Sequence, residues 1–442
     1  MKQVVIIGNG IAGITAARHI RKRSNYAITV ISGESDHFYS RTALMYLYMG
    51  HMAYYNIKPY EDWFWPKNRI GLVRDWVTQV DTKHKKLRLQ EKGEISYDIL
   101  LIASGSHPRK GGWPGEEAPN VQGLYSLQDL ERMEQQTKGI ERGVVIGGGL
   151  IGVEMAEMLH SRNIAVSLVV REKEYWSNVL PPEEAAIISL HLRRQGIDLQ
   201  LESELEEIIQ DEKGNAKAVR LKGGKQVDCQ FVGITIGVVP NISFLEGSGI
   251  ETNRGILVDS CFRTNQPDVY AIGDCAEYHQ PPAGRKSLEQ IWYTGRIHGE
   301  TVASTICGTP LTYKPGPWFN SAKFFDIEYQ VYGEVPNLPK EDTETLFWQH
   351  LEHEQTIRIA WNKSSGAVKG FSLLGIRYRH EVCARWIKTS ATIDSILPAL
   401  GEANFDPEFH RRHEQEIRDL YEKQTGRTLA TPVRKKFWKI FG

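Results

Sequence analysis

The sequence predicts an α/β fold with two parallel sheets, because two glycine-rich turns each join a short apolar strand to a helix. The first turn lies in residues 4–13 (VVIIGNGIAG) and the second in residues 143–154 (GVVIGGGLIGVE). Both have the G-x-G-x-x-G spacing, which falls on Gly8, Gly10 and Gly13 and again on Gly147, Gly149 and Gly152. The first glycine permits the turn, the second lets a pyrophosphate approach the backbone, and the third lets the helix pack on the strand. Two copies predict two dinucleotide sites and redox chemistry.

The length and composition limit the possible classes of protein. The chain has 442 residues, enough for two or three domains, with 41% hydrophobic and 24% charged residues. Lys+Arg and Asp+Glu both number 54, so nucleic acid is not an expected partner. The five cysteines form no C-x-x-C pair, and no stretch resembles a metal site, a membrane span or a cleavable signal peptide. We therefore expect a cytoplasmic protein without a disulfide framework or a metal.

Each glycine turn lies inside a predicted βαβ unit. The predicted elements are a strand at 2–7, a helix at 11–23 and a strand at 27–31, then helices at 151–162 and 189–196 around a strand at 165–170. An acidic residue is expected about 20 residues past the last glycine, where it holds an adenosine ribose hydroxyl. Glu34 lies there in the first unit, and Ser32 is the alternative.

The chain is then expected to return to the first sheet. The apolar strand in VYAIGDCAE (269–277) carries this prediction, and Gly- and Pro-rich stretches at 110–119 and 310–317 mark boundaries. The predicted domains are a discontinuous dinucleotide domain at 1–112 and 242–308, a second one at 113–241, and a C-terminal domain with a helical tail at 309–442.

Five separated motifs occur in a family's order, namely GNGIAG (8–13), YSRTAL (39–44), LIASGSHPR (101–109), GGGLIGVE (147–154) and YAIGDCAE (270–277). By these motifs the chain resembles the FAD- and NAD(P)H-dependent pyridine-nucleotide oxidoreductases. It is most similar to the branch of ferredoxin and rubredoxin reductases and the flavin module of assimilatory nitrite reductases. The resemblance implies two Rossmann-like domains, with the NAD(P) domain inserted in a discontinuous FAD domain, a C-terminal α+β domain and a homodimer.

The resemblance also assigns cofactor-binding residues. On FAD it places Gly8, Gly10, Ile11, Ala12, Gly13, Ser32, Glu34, Arg41, Val77, Ala103, Ser104, Gly105, Arg109, Gly273, Asp274 and Trp292. On NAD(P)H we place Gly147, Gly149, Leu150, Ile151, Gly152, Arg171 and Gly237. Asp274 is expected to accept a hydrogen bond from the ribityl chain, and Val77 to contact adenine through its backbone.

The chain departs from the related ferredoxin reductases in two respects. Their R-P-P-L-S-K motif has a lysine that pairs near flavin N5 with a glutamate, whereas here Tyr46 takes the lysine position and Glu154 remains. We predict Glu154 and Tyr46 as the residues nearest the chemistry, with a solvated helix position as the alternative for Glu154. No cysteine lies between residues 1 and 228, so reduction of a disulfide or a peroxide through a cysteine is disfavoured.

The charge at the end of the strand at 165–170, in the second βαβ unit, indicates which nicotinamide nucleotide binds. NADH-specific relatives have an acid there, whereas this chain has Val170 followed by Arg171. An arginine can bind a 2′-phosphate bidentately, so NADPH is favoured over NADH. Glu172 follows at once, and a surface role for Arg171 stays open.

Three functions stay open from the sequence. The first is an FAD-dependent NAD(P)H oxidoreductase that passes hydride to flavin and electrons to a redox protein or another acceptor. The second is a membrane-associated quinone reductase, whose tail RKKFWKIF (434–441) lies on anionic lipid with Phe437, Trp438 and Phe441 inserted. The third is a flavin-binding sensor or interaction protein that uses residues 309–442.

Overall fold

The computed structural model describes residues 1–406 and 411–429. The chain divides into two compact units. The first contains residues 1–171 and 196–315, and the second contains residues 172–195 and those from 316 onward. The three-domain division drawn from the sequence stays a prediction. The basic, aromatic segment 434–441 lies outside the described residues.

The first unit begins with a βαβ unit whose strands are almost fully buried. Its elements up to residue 108 are β1 (Gln3–Ile7), α1 (Ile11–Arg23), β2 (Ala27–Ser32), α2 (Leu44–Tyr48), α3 (Phe64–Lys67), β3 (Ile70–Arg74), β4 (Val77–Asp81), β5 (Lys86–Leu89), β6 (Glu94–Ser96), β7 (Ile99–Ile102) and β8 (Ser106–Pro108). The continuous apolar runs in β1 and β7 are typical of strands covered on both faces of a parallel sheet. The strands β4, β5 and β6 form a separate antiparallel sheet.

The second glycine turn lies in a second parallel sheet of the order β12-β11-β10-β16-β9. The elements of this part of the chain are β9 (Val121–Gln122), α4 (Leu127–Gln136), β10 (Arg142–Ile146), α5 (Leu150–Ser161), β11 (Ala165–Val169), α6 (Pro182–Arg194), β12 (Asp198–Gln200), β13 (Leu205–Gln210), β14 (Ala216–Leu221), β15 (Gln226–Asp228), β16 (Phe231–Ile234) and β17 (Val238–Pro240). The strands β13, β14 and β15 form an antiparallel meander, and β17 pairs with β8.

The chain then returns to the first parallel sheet. The elements of this part of the chain are β18 (Ile256–Val258), β19 (Val269–Ala271), β20 (Ala276–Tyr278) and α7 (Trp292–Ile306), of which β18 and β20 form a separate two-stranded sheet. Strand β19 pairs in parallel with β7 and completes a sheet of the order β19-β7-β1-β2-β3. The two parallel sheets confirm the predicted α/β class.

The second unit contains an antiparallel sheet of the order β21-β22-β25-β24-β23. Its remaining elements are β21 (Phe319–Phe324), β22 (Ile327–Gly333), β23 (Thr343–Gln349), β24 (Thr356–Asn362), β25 (Val368–Leu374), α8 (His380–Lys388), α9 (Ile393–Ile396) and α10 (Glu414–Thr425). Helix α6 also belongs to this unit. Within the two described ranges, no helix has the length and apolar composition to cross a bilayer, and no side-chain cluster has the make-up of a metal site.

Helix α6 begins earlier than the sequence predicted. We expected a helix at residues 189–196, but it starts at Pro182 and ends at Arg194. A proline at the first helical position has no backbone N–H to lose, and Glu183 and Glu184 favour the positive end of the helix dipole. The Pro-Pro pair therefore starts this helix instead of preventing it.

A buried ion pair joins α6 to the sheet of the second unit. Arg358 on β24 donates to both carboxylate oxygens of Glu184, at 2.7 and 2.9 Å, and to Glu183 at 2.8 Å. The side chains of Arg358 and Glu184 are only 8% and 0% exposed. Burial raises the pKa of Glu184, and the hydrogen bonds and charge of Arg358 oppose that rise.

We expect Arg358→Ala to lower the free energy of unfolding by about 3–5 kcal/mol, because it leaves the Glu184 carboxylate buried and unpaired. Chemical denaturation measures this. The control is Arg385→Ala, which removes an exposed pair with Glu402, whose side chains are 54% and 48% exposed. The control should cost about 1 kcal/mol or less. Equal losses in the two variants would contradict the role of the buried pair.

Candidate active site

The first glycine turn joins β1 to α1, and its three glycines have different surroundings. Gly8 has a φ of 105°, and a Cβ added there lies 2.1 Å from the carbonyl oxygen of Ala103. A Cβ added at Gly13 lies 2.1 Å from the carbonyl oxygen of Gly8. A Cβ added at Gly10, by contrast, meets nothing within 4 Å. The fold therefore requires the outer two glycines, whereas the middle one leaves backbone open at the N-terminus of α1.

The second turn, between β10 and α5, repeats this arrangement. A Cβ added at Gly147 lies 2.6 Å from the carbonyl oxygen of Thr235, and one added at Gly152 lies 2.4 Å from the carbonyl oxygen of Gly147. A Cβ added at Gly149 meets nothing within 4 Å. A helix N-terminus with open backbone beside it suits an anionic pyrophosphate. Both turns therefore fit a dinucleotide.

Glu34 follows β2, and several donors of the protein bind its carboxylate. Arg41 donates to both oxygens at 2.9 and 2.7 Å, the Tyr39 hydroxyl donates to one of them, and the Leu127 amide donates at 3.1 Å. Burial raises the pKa of Glu34, but the charge and hydrogen bonds of Arg41 outweigh it and leave the pKa below the ordinary value. The Ser32 hydroxyl accepts a hydrogen bond from the Glu34 amide. The structure thus pairs two predicted cofactor residues with each other, and their cofactor roles stay predictions.

Asp274 lies just beyond β19. Its carboxylate accepts hydrogen bonds from the Ser106 and Tyr125 hydroxyls, both at 3.4 Å. The carboxyl keeps some exposed surface, but it lies deep enough that burial raises its pKa to about 6, against the opposing charge of Arg41. The Arg41 guanidinium lies 4.2 Å from the centre of the Tyr125 ring and donates to the Tyr125 carbonyl. Asp274 is therefore a carboxyl that changes its protonation near neutral pH.

The turn that carries Asp274 is held by a histidine that the motifs did not reveal. The Gly273 amide donates to Nδ1 of His298, 3.1 Å away, and Nε2 of His298 lies 2.6 Å from the Tyr278 hydroxyl. Burial, aided by the charge of Arg285, lowers the pKa of His298 to about 3. His298 is therefore neutral at ordinary pH and can accept from Gly273. Its position in α7 matches no glycine or charge pattern, so only the fold indicates this role.

Helices α1 and α7 pack closely beside this turn. A Cβ added at Gly299 of α7 lies 2.5 Å from the carbonyl oxygen of Ala12, and one added at Gly295 lies 3.4 Å from Cγ2 of Ile11. Trp292 begins α7 and is half-buried. The starts of α1 and α7 therefore lie close together.

Val77, predicted to contact adenine, begins β4 and is also half-buried.

The segment after β7 is hydrogen-bonded to the residues around β17. The Ser104 hydroxyl donates to the Asn241 carbonyl at 2.7 Å, and the Asn241 amide donates to the Gly105 carbonyl at 2.9 Å. The Arg109 amide donates to the Gly237 carbonyl at 3.0 Å, and the Arg109 side chain is exposed. Four of the predicted cofactor residues thus lie at one junction, between β8 and β17.

The structure also brings together the helices that carry Glu154 and Tyr46. Helix α2 packs against α5, and Arg162 at the end of α5 lies 3.5 Å from the centre of the Tyr48 ring and donates to the Tyr48 carbonyl. Glu154 and Tyr46 are both half-buried. Their roles in the chemistry stay predictions.

The strand end that was used to predict the nicotinamide nucleotide has no acid. Val170 is fully buried, its amide donates to the Gln200 carbonyl, and Arg171 beside it is exposed. Arg171 also lies near enough to Glu204 to help lower the pKa of that carboxyl. The cation predicted to bind a 2′-phosphate is thus at the surface beyond β11.

Two parallel sheets, each with a glycine turn of this form, define a protein that binds two dinucleotides. Residues 2–297 match the family model described as pyridine nucleotide-disulphide oxidoreductase, so the chain belongs to this family. The resemblance drawn from the motifs is confirmed. FAD and NAD(P)H are the cofactors of this family.

Individual relatives are consistent with the family. The assimilatory nitrate reductase electron transfer subunit of Bacillus subtilis is 30% identical over 315 residues, which are 70% of this chain and 39% of that protein. The rubredoxin-NAD(+) reductase of Ectopseudomonas oleovorans is 25% identical over 83% of this chain and 98% of its own. A ferredoxin reductase structure from Rhodopseudomonas palustris has a TM-score of 0.78 and 23% identity, covering 85% of this chain and 91% of that one. This chain thus spans about 39% of the first relative.

We expect Gly10→Ala to weaken FAD binding and Gly149→Ala to weaken NAD(P)H binding, each at least about 10-fold. The added methyl fits the protein but occupies the space that a pyrophosphate needs, and a hydrogen bond to a charged group contributes roughly 1.5–3 kcal/mol. Both backbones have negative φ, −69° and −101°, so alanine is not strained there. Flavin fluorescence and nicotinamide titrations measure the two affinities.

The matched control is Gly8→Ala, where the positive φ and the contact with Ala103 predict a lower melting temperature instead of a selective binding defect. If Gly10→Ala and Gly149→Ala lose both ligands equally, or unfold at the same temperature as Gly8→Ala, the two turns do not have the separate roles inferred here.

Asp274 predicts a pH-dependent stability of the flavin-free protein. Its folded pKa of about 6 lies above the ordinary 3.8, so the protonated carboxyl favours the fold below that value, and this stability is lost as the pH rises through 6. At about 1.4 kcal/mol per pKa unit, we expect a loss of about 2 kcal/mol relative to Asp274→Asn between pH 4, just above the unfolded pKa, and pH 7. Denaturant unfolding at both pH values measures it. A constant difference between wild type and variant across this range would contradict the prediction.

Proposed function

We propose that this protein is an FAD-dependent NAD(P)H oxidoreductase that passes electrons to a redox protein without a cysteine relay. The observation that carries the proposal is the geometry of the two glycine turns. In each turn, backbone atoms fill the space where a side chain would be at the outer two glycines, whereas that space is empty at the middle glycine. A single turn fits one nucleotide, whereas two turns on two sheets fit an electron donor and an electron carrier.

FAD, when bound at the first turn, would supply the redox chemistry: acceptance of a hydride from the nicotinamide and release of the electrons to an acceptor. The residues of this chain bind and orient the two nucleotides. The turn at Gly10 holds one pyrophosphate and the turn at Gly149 the other, with helix N-termini facing both. Asp274 accepts a hydrogen bond from the ribityl chain, and its ionised form accepts best, so flavin binding is expected to lower its pKa. Glu154 and Tyr46, which lie on the packed helices α5 and α2, are the side chains that we propose to be nearest the chemistry.

The cysteines support a route without a thiol. All five lack a disulfide partner, and Cys229, Cys275 and Cys383 are buried. Burial raises the pKa of Cys229 to about 12 and also raises the pKa of Cys275 and Cys383. A thiol with a raised pKa is a poor nucleophile at neutral pH. The acceptor is instead inferred from relatives whose names include a rubredoxin reductase and an electron transfer subunit.

Anaerobic reduction tests the proposal. We expect the purified protein to show flavin absorbance that NAD(P)H bleaches and that oxidised rubredoxin or ferredoxin restores. Gly149→Ala is the control: dithionite should bleach it like wild type, whereas NAD(P)H should bleach it slowly, because only the nicotinamide site is altered. Protein that binds no flavin, or whose flavin neither nicotinamide nucleotide reduces, would refute the proposal. Reoxidation by small quinones alone would refute the redox-protein acceptor.

We further propose NADPH as the preferred donor, because Arg171 is exposed beyond β11 and Val170 supplies no carboxylate. Arg171→Ala should raise the KM for NADPH about 10-fold, the effect of losing hydrogen bonds to a charged group. The KM for NADH, which lacks the 2′-phosphate, serves as the internal control and should change little. Equal changes for both nucleotides in steady-state kinetics would refute the proposed contact.

A further inference from the structure

Trp76 lies after β3 and presents part of a large aromatic side chain at the surface. It is 50% exposed. The inner side of its ring system covers Gly33, because a Cβ added to Gly33 lies only 2.0 Å from Cδ2 and 2.3 Å from Cε2 of the indole. The indole therefore lies flat on the backbone that follows β2, and the rest of its surface faces outward.

Hydrogen bonds on both sides fix the backbone of Trp76. The amide of Asp75 donates to the Ser32 carbonyl at 3.0 Å, and the Asp75 carboxylate accepts from the Trp76 and Lys92 amides, both at 2.8 Å. The Gln90 amide donates to the Trp76 carbonyl at 2.9 Å. The residue is thus tied to β2 and to the neighbouring hairpin, so the indole is held in place before any ligand binds.

The position of Trp76 relates directly to the first dinucleotide turn. In a βαβ unit the pyrophosphate lies at the glycine turn and the adenosine ribose at the end of the second strand, so the base extends beyond that strand. Here the second strand is β2, and its last residue, Ser32, pairs with Arg74 at the end of β3. Trp76 is two residues past Arg74 and covers Gly33, which follows Ser32. The indole therefore lies where the base of the first nucleotide is expected.

The acid at this strand end is already bound by protein groups. The Glu34 carboxylate accepts from Arg41, Tyr39 and the Leu127 amide. A base can still gain affinity here by stacking, because a purine and an indole offer two flat faces and need no free hydrogen-bonding group.

We propose that the exposed face of Trp76 stacks on the adenine of FAD and positions the adenosine half of the cofactor. The inference rests on the proposed function, since it needs FAD at the first turn. Gly33 is part of the same arrangement, because any side chain there displaces the indole.

Binding of FAD and of its fluorescent analogue, 1,N6-etheno-FAD, tests this inference. Trp76→Ala should bind FAD about 10-fold more weakly, because base stacking on an aromatic ring contributes roughly this much. Trp76→Phe should retain most of the affinity. An indole in contact quenches the etheno-adenine, so the emission of the bound analogue should rise in Trp76→Ala. Loss of a merely structural contact would not raise that emission at saturating analogue.

Two further variants complete the test. Gly33→Ala, where φ is not in the left-handed range, should also raise the etheno-adenine emission, because the methyl moves the indole. Trp63→Ala removes a tryptophan of similar exposure, 58%, in the same unit and should change neither affinity nor emission.

The outcomes separate the two proposals. If wild type binds FAD but Trp76→Ala binds it as tightly as Trp63→Ala does, with unchanged emission, the stacking inference is wrong and the proposed function stands. If wild type binds no FAD, both are wrong.

Discussion

The close approach of backbone to backbone at the glycine turns is the constraint on which the first unit depends. At Gly8 and at Gly13, even a methyl side chain would lie 2.1 Å from a backbone carbonyl oxygen, far closer than two non-bonded atoms can approach. The turn therefore brings β1, α1 and the end of β7 within contact distance. The same rule operates at Gly299, where α7 reaches the carbonyl of Ala12. Because these contacts use the space of the missing side chains, the only space left is at the middle glycine of each turn.

Charge around the first turn is arranged about one arginine. Arg41 pairs with Glu34. Its charge also limits the rise in the pKa of Asp274 that burial causes. One cation thus acts on the two carboxyls that are expected to bind the adenosine ribose and the ribityl chain. His298 accepts a hydrogen bond from the Gly273 amide and so supports the turn that carries Asp274. Because His298 is neutral, this support adds no further charge.

Much of the fold followed from local patterns. The two βαβ units and the return of the chain at 269–277 were predicted because apolar runs, glycine spacing and the ribose-binding offset are properties of short segments. The start of α6 was predicted wrongly because a Pro-Pro pair alone does not tell a helix start from a helix break. Helix α6 belongs to the second unit, where Arg358, more than 150 residues away in sequence, donates to its Glu184.

The sequence by itself determined where two nucleotides can approach the backbone, since three glycines at fixed spacing act within a single turn. Only the tertiary structure decided which side chains surround those turns. Glu34 accepts a hydrogen bond from the Leu127 amide, the Gly273 amide beside Asp274 donates to His298, and Trp76 lies flat on Gly33. Each of these contacts joins segments that are distant in sequence, and such contacts depend on how strands and helices pack rather than on any local pattern.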